Sequence, residues 1–77
     1  MGAQLPVVSG QEARAAFERM GFEFTRQRGS HMMLRHRDPP NRRLVIPDHR
    51  ELAKGTLRRL IRDAELTIEE FVTLLEQ

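Results

Sequence analysis

The feature of the sequence that most constrains its fold is the pair Gly29-Ser30, which has a strand-forming segment on each side. The preceding segment, residues 22–28, begins with alternating apolar and polar side chains, and the following segment covers residues 31–37. A two-residue connection that contains glycine is a common turn of a β-hairpin. The sequence therefore predicts an antiparallel strand pair near the middle of the chain.

The second strand of this hairpin is predicted to have two chemically different faces. Because side chains alternate along a strand, Met32, Leu34 and His36 share one face. This set is expected to face the core, with His36 in a structural or half-buried position. His31 and Arg35 are expected to point outward together from the opposite face.

Two capping boxes and a glycine mark the ends of predicted helices. Ser9 and Glu12 form the pattern S-x-x-E at the start of the first helix, which Gly21 ends, and Thr67 and Glu70 form a second capping box. The stripes predicted to be buried are Ala13, Ala16, Phe17 and Met20, then Leu57, Leu60, Ile61 and Ala64, then Ile68, Phe71, Val72 and Leu75.

The order of these elements predicts an α+β domain. A turn at Pro39-Pro40 leads to a third strand over residues 42–46 that Pro47 closes, and the second helix is expected to begin near Gly55-Thr56. The order is then α-β-β-β-α-α, with a three-stranded antiparallel sheet and the helices on one face. A chain of 77 residues predicts one domain over residues 1–77.

The composition excludes several classes of protein. The chain has no cysteine, so it has neither a disulfide nor a thiolate metal site. The first residues lack the basic and apolar regions of a secretory signal, and no apolar run approaches the roughly 20 residues that span a bilayer. We therefore expect a soluble, cytoplasmic protein without membrane association.

Positive charge is concentrated in the middle of the chain. Residues 26–62 contain eleven Lys or Arg and three acidic residues, a net charge of +8, whereas the remaining residues have a net charge of −6. Such a field attracts a polyanion, with an affinity that falls as salt rises. A solvated basic face without a ligand is the alternative interpretation.

His31 is the leading candidate for chemistry. RNA is cleaved without a metal when its own 2′-OH attacks the adjacent phosphate, and imidazole exchanges protons near neutral pH. Arg28, Arg35 and Lys54 could bind phosphates and stabilise the charge of the transition state. A single histidine on a strand is more often a surface residue or a contact to a ribose 2′-OH, so these alternatives stay open.

The remaining basic and imidazole side chains have several interpretations. His49 follows Asp48 before the second helix and is either a second proton-transfer group or, more often at such a position, a turn or capping residue. Lys54, Arg58 and Arg62 recur every four residues as a ridge for a phosphate backbone, a solvated face or a docking surface for an acidic partner. The histidine spacing matches no metal-ligand pattern, and no glycine loop for a nucleotide is present, so no metal or cofactor is predicted.

Four spaced motifs resemble those of one protein family. They are Gly21-Phe22 leading to Arg28-Gly29-Ser30-His31, then Val45-Ile46-Pro47-Asp48-His49, Lys54-Gly55-Thr56-Leu57 and Glu70-Phe71. In these motifs the chain resembles the HicA toxins of bacterial HicA–HicB toxin–antitoxin pairs, from about Ser9 to Leu75. The resemblance implies a fold like the double-stranded RNA-binding domain, ribosome-independent cleavage of messenger RNA, and inhibition by a HicB antitoxin that covers the active site.

The resemblance also implies roles for individual residues. The catalytic residue would be His31, and His49 matches a P-x-H element with a structural or substrate-supporting role. Residues 1–8 form an N-terminal extension relative to a typical member, and Pro39-Pro40 is a second departure. The residues predicted to bind RNA are Arg28, Gly29, Ser30, Arg35, Lys54 and Arg58.

Three classes of function are compatible with these observations. The leading hypothesis is a metal-independent endoribonuclease toxin with His31 as general acid or base, which has messenger RNA and an antitoxin as partners and no cofactor. The second is a non-catalytic module that binds double-stranded RNA by shape. The third is a protein-interaction domain whose arginines meet an acidic partner.

Overall fold

The chain passes from one helix through three strands to two further helices. The computed structural model describes residues 4–77. Its elements are α1 (Gly10–Arg19), β1 (Phe22–Arg28), β2 (His31–His36), β3 (Arg43–Pro47), α2 (Lys54–Asp63) and α3 (Ile68–Leu75). The strands form one antiparallel sheet in the order β1-β2-β3, so the predicted α+β class and element order are confirmed.

The first residues of α1 and α3 lie where the sequence predicts them. The Ser9 hydroxyl accepts the N–H of Glu12 at 3.0 Å, and the Glu12 carboxylate accepts the N–H of Ser9 at 2.9 Å. Thr67 and Glu70 make the same reciprocal pair at the start of α3. Both capping boxes are confirmed, and each satisfies backbone donors that the first turn leaves without a partner. Gly21, at φ +112°, follows Met20, the C-cap residue of α1.

An extra residue in β1 reverses the direction in which the side chains of the second half of this strand point. Phe24 pairs with Leu34, but the next pair joins Arg26 to Met33, so Thr25 is a β-bulge. The Thr25 hydroxyl donates to the Met33 carbonyl at 3.0 Å. Because a bulge shifts the alternation by one residue, Arg26 lies on the helix-free face, whereas regular alternation from Phe24 would turn it toward the helices.

The helices cover one face of the sheet and form the core with it. α1 packs against β1, β3 and α3, and α2 packs against β3. The ring of Phe17 lies 6.0 Å from that of Phe22 and 5.1 Å from that of Phe71. Full burial of one such side chain contributes about 1.5–3 kcal/mol. The core is completed by Val8, Ala13, Ala16, Met32, Leu34, Leu44, Ile46, Leu52, Leu57, Leu60, Ile61 and Ala64.

The predicted apolar stripes are confirmed for most of their residues. In α1 and α2 these side chains are buried except at Met20, and in α3 Phe71 is completely buried. The half-buried members of the stripes are Met20, Ile68, Val72 and Leu75. β2 also has the predicted faces, since Met32 and Leu34 are buried while His31 and Arg35 are exposed.

The segment before α1 packs against the loop that follows β3. The N–H of Gly10 donates to the His49 carbonyl at 2.9 Å, and the N–H of Leu52 donates to the Val8 carbonyl at 2.8 Å. A Cβ atom on Gly10 would lie 2.0 Å from the Pro47 carbonyl oxygen, so only glycine fits here. Of the predicted extension over residues 1–8, residues 1–3 lie outside the described part of the chain, and Val8 belongs to the core.

Candidate functional site

The hairpin turn places His31 at the start of β2. Gly29 has φ +56°, and Arg28 and His31 face each other as the last pair of the β1–β2 ladder. Glycine at the first central position is typical of a type II′ turn, which matches the twist of the two strands. Gly29 and Ser30 are both exposed, so the predicted turn is open to solvent.

The imidazole of His31 is exposed on the face opposite the helices. His31 pairs with Arg28 on one side and with Pro47 on the other, which places it in the middle strand. Within residues 4–77 its ring makes no hydrogen bond or ion pair, so both nitrogens are available to a ligand. This position is the one that the alternation of β2 predicts.

The helix-free face of the sheet is strongly basic around His31. This open face comprises His31 together with Arg26, Arg28, Arg35 and Arg43, all of which are exposed. The ion pairs found within residues 4–77 all lie elsewhere. Arginines without a carboxylate partner can bind the oxygens of a phosphate. The face also contains one acidic residue in register, Glu23 opposite Arg35.

A shallow depression of about 540 Å³ lies between Arg26, Arg35 and Arg43 on this face. Its floor is partly apolar, because Met33 of β2 and Val45 of β3 also face away from the helices. Val45 is 44% exposed. Its lining is Thr25, Arg26, Met33, Leu34, Arg35, Arg43, Leu44 and Val45. A partner with both negative charge and flat apolar groups would complement this surface.

The structure places the predicted RNA-binding residues in two groups. Arg28, Gly29, Ser30 and Arg35 accompany His31 on the hairpin. Lys54 and Arg58, in contrast, line a separate groove of about 380 Å³ on α2, together with Gln4, Leu5 and Ile68.

The start of α2 differs from those of the other two helices. Its N-cap is Ala53, which makes no side-chain hydrogen bond, and its first turn contains Lys54 but no acidic residue. α1 and α3 both have capping boxes and at least one glutamate in the first turn. The positive end of the α2 dipole is therefore reinforced rather than offset by a side chain.

The other two histidines differ in their surroundings. The His36 Nε2 donates to the Met20 carbonyl at 2.9 Å, its Nδ1 accepts the N–H of Asp38 at 3.1 Å, and its ring meets Phe22 edge-on at 4.9 Å. The structural prediction for His36 is confirmed. His49 contacts α1 through its backbone carbonyl, while its side chain is exposed.

Three polar residues form a cluster beside the turn, and the sequence motifs include only one of them, Asp48. The Asp48 carboxylate accepts the side-chain amide of Gln11 at 3.1 Å and that of Gln27 at 3.4 Å. The same Gln27 amide donates to the Gly29 carbonyl at 3.0 Å, and the N–H of Asp48 donates to the Ser30 carbonyl at 2.6 Å. The only sequence signal for this cluster is Asp48 itself, placed between Pro47 and His49.

Two structural features are absent from the described part of the chain. Within residues 4–77, no three His, Asp or Glu side chains come together as a possible metal site. In the same part of the chain, no helix has the length and apolarity needed to cross a membrane.

Fold and site together define an α+β domain with the topology of a double-stranded RNA-binding domain and a basic open face that carries an exposed histidine. A family model described as the HicA toxin of bacterial toxin-antitoxin matches residues 10–66, and the chain therefore belongs to the HicA toxin family. Membership makes it a toxin of a toxin–antitoxin system and implies a cognate antitoxin. A comparison with curated proteins found no match.

The family match covers most of the motifs on which the resemblance depends. Residues 10–66 include the hairpin with His31, the whole sheet and α2. The closing motif Glu70-Phe71 lies in α3, beyond the matched range. The sequence-based assignment to the HicA family is thus confirmed.

Proposed function

We propose that this toxin is an endoribonuclease that cleaves messenger RNA without a metal ion or the ribosome, and that His31 is its catalytic residue. The observation that carries the proposal is the position of His31, whose exposed imidazole lies directly opposite Arg28 on the open face. A proton-transfer group and a phosphate-binding cation are thereby neighbours on one accessible surface.

The reaction needs few groups from the protein. The 2′-OH of one nucleotide attacks the adjacent phosphorus, the bond to the 5′ oxygen of the next nucleotide breaks, and a 2′,3′-cyclic phosphate and a 5′-OH result. His31 acts in this step as the base that removes the 2′-OH proton or as the acid that protonates the leaving 5′ oxygen, and solvent water carries out the other proton transfer. Either role typically contributes a factor of 10²–10⁴ to the rate.

The surrounding residues would hold the RNA in place for this step. Arg28 and Arg35 would bind phosphate oxygens on either side of the scissile bond and stabilise the charge of the transition state. Gly29 and Ser30 would let the RNA backbone approach the turn closely, and His49 would help to hold the RNA. Lys54 and Arg58, which lie in the separate groove on α2, would contact a more distant part of the same RNA.

The open face is also the surface that we expect a HicB-type antitoxin to cover. Three exposed arginines around a partly apolar depression suit a protein partner with carboxylates at its rim and apolar side chains at its centre. Occupation of this face would exclude RNA from His31. The same arginines would therefore serve both partners, one at a time.

The decisive experiment is cleavage of a long, unstructured RNA by the purified chain in EDTA. We expect cleavage by the parent chain and a loss of at least 100-fold in His31→Ala. The thermal midpoint of this variant should stay close to that of the parent, because the side chain is exposed and makes no hydrogen bond or ion pair within residues 4–77. His49→Ala provides a histidine control, for which we expect a loss of less than tenfold.

Binding measurements distinguish the other classes of function. If the parent chain binds RNA with an affinity that falls steeply with salt but leaves it intact in EDTA, the chain is a non-catalytic RNA-binding module. Absence of RNA binding at any salt concentration would instead favour the protein-interaction domain. Equal cleavage by the parent chain and His31→Ala would exclude His31 as the catalytic residue.

A further inference from the structure

We propose that Asp48 is a positioning residue that holds the Gly29-Ser30 turn, and with it His31, in the geometry needed for cleavage. The proposal rests on the function proposed above, since it assigns a support to the same histidine. Asp48 does not touch the open face itself. It acts through the turn, from the loop that follows β3.

Asp48 joins three separate parts of the fold. One carboxylate oxygen accepts the Gln11 amide of α1 at 3.1 Å, and the other accepts the Gln27 amide of β1 at 3.4 Å. Its backbone N–H donates to the Ser30 carbonyl at 2.6 Å. The residue immediately before His31 is therefore tied to the end of β3.

Both glutamine amides use their two hydrogens in this cluster. Gln27 Nε2 donates to the Gly29 carbonyl at 3.0 Å as well as to Asp48, and Gln11 Nε2 also contacts the Met32 sulfur at 3.4 Å. Reversal of either amide would place its oxygen against the carboxylate. The cluster therefore needs a residue with two acceptor oxygens at position 48, which aspartate provides and asparagine does not.

The β-bulge explains why Gln27 takes part in this cluster. Because Thr25 is the extra residue, Gln27 pairs with buried Met32 and points to the helix side, where Gln11 and Asp48 lie. The same shift places Arg26 and Arg28 on the open face. One backbone irregularity thus supplies both the phosphate-binding side chains and the support of the turn.

The exposed ring of His31 depends on this support. Since the ring makes no hydrogen bond or ion pair within residues 4–77, its position depends mainly on the backbone of the turn and of β2. The Asp48 carboxylate fixes the Gln27 amide that donates to the Gly29 carbonyl, so the exposed turn would gain freedom if this carboxylate were removed. The backbone hydrogen bond from Asp48 to the Ser30 carbonyl does not depend on the side chain at position 48. Catalytic groups lose efficiency after displacements of about 1 Å, whereas loosening an exposed turn has little effect on global stability.

The test compares Asp48→Ala and Asp48→Asn with Glu51→Ala. Glu51 is an exposed acid of the same loop, so its removal makes the same change in net charge without touching the cluster. In Asp48→Ala we expect a lower ¹H–¹⁵N heteronuclear NOE at Gly29, Ser30 and His31 and a kcat for RNA cleavage about tenfold lower. KM should change no more than in Glu51→Ala. The NOE values and the kcat of Asp48→Asn should lie between those of the parent chain and those of Asp48→Ala.

A double substitution tests whether the contacts act together. Gln27→Ala should lower the same NOE values and kcat, and the double variant Gln27→Ala, Asp48→Ala should be no slower than the slower single variant. If the losses in kcat of the two single variants multiply in the double variant, the two residues act independently. That result would overturn the proposal that they hold the turn as one cluster.

The readouts separate this proposal from the function on which it rests. If the parent chain does not cleave RNA, the proposed function fails, while a lower NOE in Asp48→Ala still supports Asp48 as the residue that holds the turn. Unchanged NOE values overturn the proposal whatever the activity. A kcat equal to that of Glu51→Ala, in a parent chain that cleaves, overturns the positioning of His31.

Discussion

The two ends of β2 are built from the same residue types but differ in packing. At one end His36 lies beside Gly21, and at the other His31 follows the turn that contains Gly29. Both glycines have a positive φ, +112° for Gly21 and +56° for Gly29. A Cβ atom on Gly21 would lie 2.7 Å from the His36 Nε2, whereas a Cβ atom on Gly29 would meet no atom within 4 Å.

This difference separates a structural end of the strand from an accessible one. His36 uses both ring nitrogens and one ring edge for contacts inside the protein, so it contributes to stability. His31 uses none within the described residues and is free to contact a ligand. The identity of the residue does not decide its role. The role of each histidine is decided by the face of β2 on which it lies and by how tightly the adjacent glycine is packed.

The largest expected effect at the structural end comes from Gly21→Ala. The new side chain would require an unfavourable φ of +112° and would displace the His36 ring from the Met20 carbonyl. We expect the free energy of unfolding to fall by about 3 kcal/mol, as measured by urea denaturation. Gly55→Ala is the matched control, since Gly55 lies in α2 with no atom close to its missing Cβ.

The control Gly55→Ala is expected to change the free energy of unfolding in the opposite direction. Alanine has the higher helix propensity, so Gly55→Ala should raise stability by up to about 1 kcal/mol. A loss in Gly21→Ala that is no larger than about 0.5 kcal/mol would contradict the tight packing of this end.

The next largest effect is expected for His36→Ala. The substitution removes both ring hydrogen bonds and the edge contact with Phe22, and we expect a loss of about 2–3 kcal/mol in thermal or urea unfolding. His36→Asn retains an acceptor for the N–H of Asp38 and should recover about 1 kcal/mol. RNA cleavage measured well below the midpoint of unfolding should stay within threefold of the parent chain. A selective loss of activity with unchanged stability would reverse the assigned roles of the two ends.

The smallest expected effect is that of Gly29→Ala. No atom obstructs the new methyl group, so the cost arises from φ +56° alone and amounts to about 1 kcal/mol in thermal unfolding. Gly29→Asn should cost less, because asparagine tolerates this region better than alanine. If Gly29→Ala destabilises the chain as much as Gly21→Ala, the accessible end is packed more tightly than the structure indicates.

Features that depend on neighbouring residues could be predicted from the sequence. The capping boxes at Ser9 and Thr67 and the faces of β2 follow from patterns of two to four residues, and the structure confirms them. The same alternation predicted that His31 and Arg35 share the exposed face. Their roles in catalysis and RNA binding stay predictions.

Features that depend on distant residues could not be predicted in this way. Regular alternation from Phe24 would place Arg26 toward the helices, and the bulge at Thr25 that reverses this is visible only in the pairing with β2. The separation of Lys54 from the hairpin depends on how α2 packs against β3. Neither result has a signal in the local sequence.

The sequence by itself determined which segments are helices and strands and which face of β2 is apolar, because caps, turns and alternation act over a few residues. The tertiary structure decided which side chains meet. Asp48 lies 21 residues from Gln27 and 37 from Gln11, and these contacts form only when the sheet register and the docking of α1 are complete. The physical reason is that register and helix packing are set by the core as a whole, so the surroundings of His31 follow from contacts that no local pattern records.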